Sequence, residues 1–412
     1  MAADPAAVEA RVHAALDRLA GDLPSLGIAL SGGGDSTALM HLVHRWGRAR
    51  LRAATVDHGL RPGSAAEARQ AGLAAGVLGI PHETLVWTTR AGGGNLMAAA
   101  RQARLRLLAD WARRHGLAAV LLGHTLDDQA ETLLMRLNRG AGVDGLSAMA
   151  ETRRACGMVW LRPMLGASRA ELRQWLTARG LVWADDPSNE NADFERVRIR
   201  KAIATLGLPL QQLGQSAANL GMARDALQEF AAQVSQGAEV RAGSLLLPLA
   251  RFLAAPPEIR RRLLVAGLRF VTDADYPPRR EPVLQALAAL AKGGRLTLDG
   301  AIAEARDGAL HLIREPAAAA RSPAASGDPA VWDGRWRLSG LGPGQEVRAL
   351  GHAPLPGLGW RDSGLLRDEA AASPGIWQGG RLVAAPLLRP VAGISAEPLR
   401  GLPEFRALLY VH

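Results

Sequence analysis

The sequence predicts an α/β fold: a doubly wound parallel sheet over residues 1–209, then a mainly helical domain at 210–314 and a small β-rich domain at 331–412. Three observations carry this prediction. Short apolar runs alternate with helical patterns through the first half of the chain, as buried parallel strands alternate with the helices that cover them. One run, Leu26-Gly27-Ile28-Ala29-Leu30, opens into Ser31-Gly32-Gly33-Gly34-Asp35-Ser36 and then into Leu39, Leu42, Val43 and Trp46 at helical spacing. That is the pattern of a buried strand, a tight turn and an amphipathic helix. Beyond residue 210 the alternation gives way to helical patterns, and beyond 331 to tryptophans set among glycine and proline.

Taken in order, a helix is expected at 8–19, a strand at 26–30 and a helix at 37–46. Strands follow at 53–56 and 83–87 around a helix at 64–77. A long helix is expected at 96–115, a fourth strand at 118–122 and a helix over Ala130, Leu133, Leu134 and Leu137. After a strand at 158–161 and a helix at 168–179, the rear part reads as helices at 211–235, 256–270 and 280–292. Short extended pieces are expected at 244–249, 295–298 and 309–313, and the Ala-, Ser- and Pro-rich stretch 315–329 reads as a linker.

Composition narrows the function. The chain has 412 residues with 48% hydrophobic and 21% charged, ordinary for a globular protein of two or three domains. Its net charge of +10 points to a polyanionic partner, because Lys and Arg that neutralise phosphates gain affinity through counterion release. The single cysteine, Cys156, excludes an internal disulfide and a cysteine-rich metal site, and reads as a core residue. Met1 to Gly21 lacks the pattern of a signal peptide, and no apolar stretch approaches the ~20 residues of a membrane span, so a cytoplasmic protein is expected.

The turn at residues 31–36 is where phosphate is expected. Gly32, Gly33 and Gly34 let the backbone approach an anion, and the unpaired amides and positive dipole end of the following helix face the same point. Ser31 and Ser36 add hydroxyls, and Asp35 adds the carboxylate that Mg²⁺ on a nucleoside triphosphate requires. Asp57 and His58 follow the second strand and so fall near the nucleotide crevice, although a turn residue there is also structurally ordinary.

A second informative stretch runs from Gly123-His124-Thr125 to Glu131-Thr132. Helical spacing puts Asp128 and Glu131 together on the face opposite the apolar stripe. Acids at a helix start are favoured in any case. Glu131 lies beyond that first turn, so the pair is expected to bind a cation, either Mg²⁺ or an amino group. Gly140-Ala141-Gly142-Val143-Asp144-Gly145 spells G-x-G-x-x-G but follows a helix instead of a strand, which argues against a dinucleotide site. Arg196, Arg198, Arg200 and Lys201 form a dense basic run suited to an RNA backbone.

The hexapeptide lacks the Gly-Lys-Ser/Thr of a Walker A loop and resembles the loop of the ATP pyrophosphatase, or PP-loop, family. That resemblance implies an adenine nucleotide alpha hydrolase-like fold and cleavage of ATP to AMP and pyrophosphate. Read together with Asp57-His58-Gly59-Leu60-Arg61, Gly94-Asn95-Leu96, Arg101 with Arg104, His124 through Thr132, Arg136 to Gly145, Arg162-Pro163, Asp186-Pro187-Ser188-Asn189 and Phe194 to Arg200, the chain resembles the tRNA(Ile)-lysidine synthetase family. Met97 and Leu105 depart from the family's pattern.

The resemblance implies an ATP-dependent ligase that modifies the wobble cytidine of tRNA(Ile) bearing a CAU anticodon. Its substrates would be ATP with Mg²⁺ and free lysine, with a homodimer among the assemblies left open. It places Arg101 and His124 near the adenylate and lets Asp128 and Glu131 engage metal or lysine, with Asp35 as the loop carboxylate. Another tRNA-modifying member of the superfamily, such as a 2-thiocytidine synthetase, is the alternative, and the lone cysteine counts against it.

Overall fold

A computed structural model describes residues 4–59, 63–88, 96–184 and 195–410. The chain forms two compact units, Met1–Ala223 and Arg224–His412.

The first unit is built on a six-stranded sheet. Its strands are β1 (Ser25–Ala29), β2 (Arg50–Asp57), β3 (His82–Val86), β4 (Ala119–Leu121), β5 (Thr152–Ala155) and β6 (Met158–Leu161). Their spatial order is β3-β2-β1-β4-β6-β5, all parallel except the edge strand β5. The helices are α1 (Pro5–Ala20), α2 (Gly34–Trp46), α3 (Ser64–Val77), α4 (Leu96–Arg114), α5 (Leu126–Leu137), α6 (Val143–Leu146), α7 (Arg169–Thr177), α8 (Glu195–Thr205) and the first part of α9 (Leu210–Val234), whose residues from 224 on belong to the second unit.

Alternating strand residues feed two cores, which is what makes the sheet doubly wound. Leu26, Ile28, Ala119 and Leu121 join α1, α2 and α7 on one face. Ala29, Val120 and Leu122 meet Leu108, Trp111 and Ala112 of α4 on the other. Gly27 is the point of closest approach: a Cβ there would lie 2.7 Å from Trp111 Cζ3 and 3.1 Å from Leu117 Cδ1. Gly27→Ala is therefore expected to destabilise this unit by about 1–3 kcal/mol through overpacking, read as a lower urea midpoint with an unchanged slope.

Strand order reverses between β1 and β4, so the crevice outside their carboxyl ends is the topological switch point at which such sheets bind ligands. The phosphate-loop candidate leaves β1 there and His124 leaves β4 there.

Two expectations are corrected in this unit. Cys156 is exposed, not a core residue. With Gly157 it forms the two-residue turn between β5 and β6, at φ 53° and 68°, as a tight hairpin demands. The edge strand β5 escaped notice because Thr152-Arg153-Arg154-Ala155 carries no apolar alternation. The motif parts at 60–61, 92–95 and 185–189, and Phe194, lie outside the described residues.

The second unit carries more strand than its helical patterns suggested. Its five-stranded antiparallel sheet joins the expected pieces to 239–241 and 301–306, with helices at Pro257–Thr272 and Arg280–Leu290 against it. Two three-stranded sheets follow, lined by Trp332, Trp336 and Ile376. The stretch read as a linker is packed instead: Pro316–Ala320 is a helix with Ala318 and Ala319 buried, and Ala325 bridges Val347. Among the described residues no helix is long and apolar enough to cross a membrane.

Candidate active site

The loop after β1 is held open by its own polar groups. Gly32 takes φ 83°, which only glycine adopts without strain, and Gly33 caps α2 with extended backbone. The Ser31 amide donates to Ser36 Oγ (3.1 Å), the two serine hydroxyls meet at 3.0 Å, and Ser36 Oγ donates to the Gly33 carbonyl (3.0 Å). The first helical bond of α2 is Thr37 N–H to the Gly33 carbonyl. The amides of Gly34, Asp35 and Ser36 precede it and have no partner within the helix. They form an anion cradle at the positive end of the helix dipole. The Ala184 amide ties down the Gly32 carbonyl (3.0 Å), and Trp183 lies against Gly34, where a Cβ would stand 3.3 Å from the indole.

The wall opposite is α5. Thr125 and Asp128 form a capping box: the Thr125 amide donates to Asp128 Oδ2 (2.8 Å) and the Asp128 amide to Thr125 Oγ1 (3.4 Å). That bond fixes Asp128, and Glu131 follows one turn later. Glu131 is 1% exposed, and a carboxylate that deep needs cationic partners.

Arg169 supplies the first of them. Its Nε donates to Asp35 Oδ2 (3.1 Å), Nη1 to Glu131 Oε1 (2.6 Å) and Nη2 to Asp128 Oδ1 (2.5 Å). A single guanidinium thus joins the loop carboxylate to the α5 pair. Its backbone amide donates to Asp127 Oδ2 (2.8 Å), anchoring the start of α7. Arg196 Nε reaches Glu131 Oε2 (2.7 Å) and Arg200 Nε reaches Glu131 Oε1 (2.9 Å).

The charges respond unevenly. Burial drives the Asp35 carboxyl above its ordinary range, with Arg169 opposing the rise and Asp128 adding to it. Asp128 is buried too, yet Arg169, Arg196 and the Thr125 amide hold it below that range. The five bonds from Arg169, Arg196 and Arg200 to these carboxylates show that the site accepts cationic nitrogen.

His124 sits beside the wall. Burial, with repulsion from Arg162, Arg104 and Arg196 and against the pull of Asp128, lowers its pKa to about 4.

The residues singled out in the sequence are therefore only partly gathered. Ser31, Gly32, Gly33, Gly34, Asp35, Ser36, His124, Asp128 and Glu131 meet at the crevice. Asp57 is engaged by its own turn: Oδ1 accepts the Gly59 amide (2.9 Å), and the Ser64 hydroxyl and that amide hold its carboxyl low. Arg101 lies on α4 within electrostatic reach of Arg196 and Arg153. The basic run divides, because Arg196 and Arg200 turn toward Glu131 while Arg198 and Lys201 are exposed. Arg169 was missed altogether. Its local sequence shows only the Ser168–Glu171 capping box of an ordinary helix start.

A glycine loop at the switch point, an anion cradle on α2 and an acidic wall on α5 define an ATP-binding protein of the PP-loop type. A family model described as the PP-loop domain matches residues 7–206. The chain belongs to the tRNA(Ile)-lysidine synthase family. It is 44% identical over 396 residues to the tRNA(Ile)-lysidine synthase of Ruegeria pomeroyi, covering 94% of each chain. It is 37% identical over 419 residues to that of Mesorhizobium japonicum, covering 92% of this chain and 88% of the relative.

Proposed function

We infer that the chain is an ATP-dependent ligase that joins free lysine to the wobble cytidine of tRNA(Ile) with a CAU anticodon, giving lysidine, AMP and pyrophosphate. The observation that carries this reading is the acidic wall beside the phosphate cradle, already filled by cationic side-chain nitrogen from Arg169, Arg196 and Arg200. The wall selects for cationic nitrogen, and a lysine ε-amine would take the place of one of these guanidinium groups.

The cytidine O2 attacks the α-phosphorus, and pyrophosphate leaves into the amides of Gly34, Asp35 and Ser36 with the Ser31 and Ser36 hydroxyls beside it. The ε-amine of lysine, held by Asp128 and Glu131, then attacks C2 of the activated ring; AMP departs and the amine proton is released. Among the described residues no group of three or more His, Cys, Asp or Glu is arranged to hold a metal ion. Magnesium arriving on a triphosphate needs only one or two carboxylates beside phosphate oxygens, and Asp35, a hard oxygen donor at the cradle, fits that role. Bound there, the ion would neutralise phosphate charge.

In this reading residues 1–209 are catalytic, 210–314 and 331–412 contact the tRNA, and the enzyme works in the cytoplasm. Arg198 and Lys201 face the RNA backbone.

The test supplies ATP, labelled lysine and unmodified tRNA. Label should enter isoleucine tRNA with a CAU anticodon and stay out of methionine tRNA. Absence of lysine label, or incorporation of labelled sulfur instead, would overturn the assignment.

A further inference from the structure

Arg162 is 6% exposed, yet among the described residues its guanidinium is held by two neutral acceptors and paired with no carboxylate. Nη1 donates to the Ala150 carbonyl (2.6 Å) and Nε donates to Nδ1 of His124 (3.2 Å). The sheet register places the two side chains together: β4 and β6 run parallel, Leu121 pairs with Leu161, and each strand then delivers its next polar residue into the same crevice.

The direction of the second bond is unambiguous. A guanidinium has only donors and does not lose its proton in proteins. Nδ1 of His124 must therefore present a lone pair, which leaves the ring proton on Nε2. Protonating Nδ1 would break the bond and set an imidazolium against a buried guanidinium. The groups facing this ring are Asp128 from α5, Arg162 from the end of β6, Arg104 from α4 and Arg196 from α8, so cations outnumber the one carboxylate.

We propose that Arg162 is a positioning residue that fixes His124 as its neutral Nε2–H tautomer, so that His124 meets the reaction as a hydrogen-bond donor to a substrate oxygen and is not the base that takes the lysine proton. The oxygen it serves is one that gains negative charge, on the α-phosphate or on the leaving adenylate. Its role toward lysine rests on the ligase reading; the tautomer does not.

The test uses the full-length chain with ¹⁵N-labelled histidine. Long-range ¹H–¹⁵N correlation spectra identify the His124 ring by its loss in His124→Asn. The expected wild-type pattern is a protonated Nε2 and an unprotonated Nδ1, unchanged from pH 8 to 5.5. In Arg162→Met the ring should populate both tautomers and titrate toward the ordinary value of about 6.5. Relative to wild type, the same variant should lose kcat/KM for lysine at pH 8, where part of the ring carries its proton on Nδ1, and recover as protonation near the ordinary histidine value restores the Nε2 donor. An acid limb there would instead mark His124 as a base and overturn the proposal. An Nδ1–H pattern in the wild type, or a methionine variant with the wild-type pattern, overturns the proposal. Should that variant not fold, the wild-type spectrum decides on the same criterion. Failure of wild type to form lysidine would instead remove the ligase reading and leave the spectra to stand.

Discussion

Replacing Arg169 with methionine is expected to cost the first unit about 3–5 kcal/mol near neutral pH, the range for removing one partner of a buried ion pair. The cost is high because the guanidinium serves three carboxylates from two elements, and its side chain is only 17% exposed. Arg196 and Arg200 would remain on Glu131, but Asp35 would lose its counter-ion.

The pH dependence of that cost follows from the two shifted groups. Asp128 is depressed in the folded state, so its stabilising contribution is complete above the ordinary carboxylate value near 4 and is lost as pH falls through its lowered value. Asp35 is raised, so its ionised form opposes folding at neutrality, and that penalty is relieved as pH drops toward 4. Removing Arg169 moves both groups upward. The deficit of the variant should therefore be largest at pH 7 and narrow by pH 5. Hydrogen exchange of peptides from β1 and β4 measures it, and equal protection of variant and wild type at pH 7 would contradict the account.

How much of this was legible beforehand depends on whether the signal is local. The loop after β1 announces itself within a dozen residues, because a buried strand, three glycines and helical spacing follow one another. Asp128 and Glu131 could be paired from helix geometry alone. Arg169 could not, since it lies 134 residues from Asp35 and nothing in its capping box names a distant partner. Arg196 and Arg200 were visible as cations one turn apart, but which way they face is set by α8 packing on α5. Glu131, buried on α5 where α8 packs against it, draws them inward. The antiparallel sheet of the second unit was obscured for a related reason: Ala301–Arg306 reads as well for a helix as for a strand, and only pairing with Ala309–Arg314 decides.

The division of labour between the two carboxylate positions gives the largest expected effect on activity. Asp35→Asn keeps the shape of the loop and one hydrogen-bond acceptor for Arg169 while removing the charge beside the cradle. Pyrophosphate release should fall by about 10²–10³, the scale seen when one preorganised electrostatic group at a transition state is lost. Glu131→Gln acts on the other wall. It leaves the loop amides, Ser31 and Ser36 untouched and weakens the bonds that Arg169, Arg196 and Arg200 make there. Its first half-reaction should continue, with tRNA-dependent pyrophosphate released in a single burst, while transfer of lysine becomes limiting and the lysine KM rises. Quenched-flow measurement of pyrophosphate and of labelled lysine on tRNA separates the steps. Equal loss of both in the two variants would mean that the wall acts as one structural unit, and the assignment of lysine to Asp128 and Glu131 would fall.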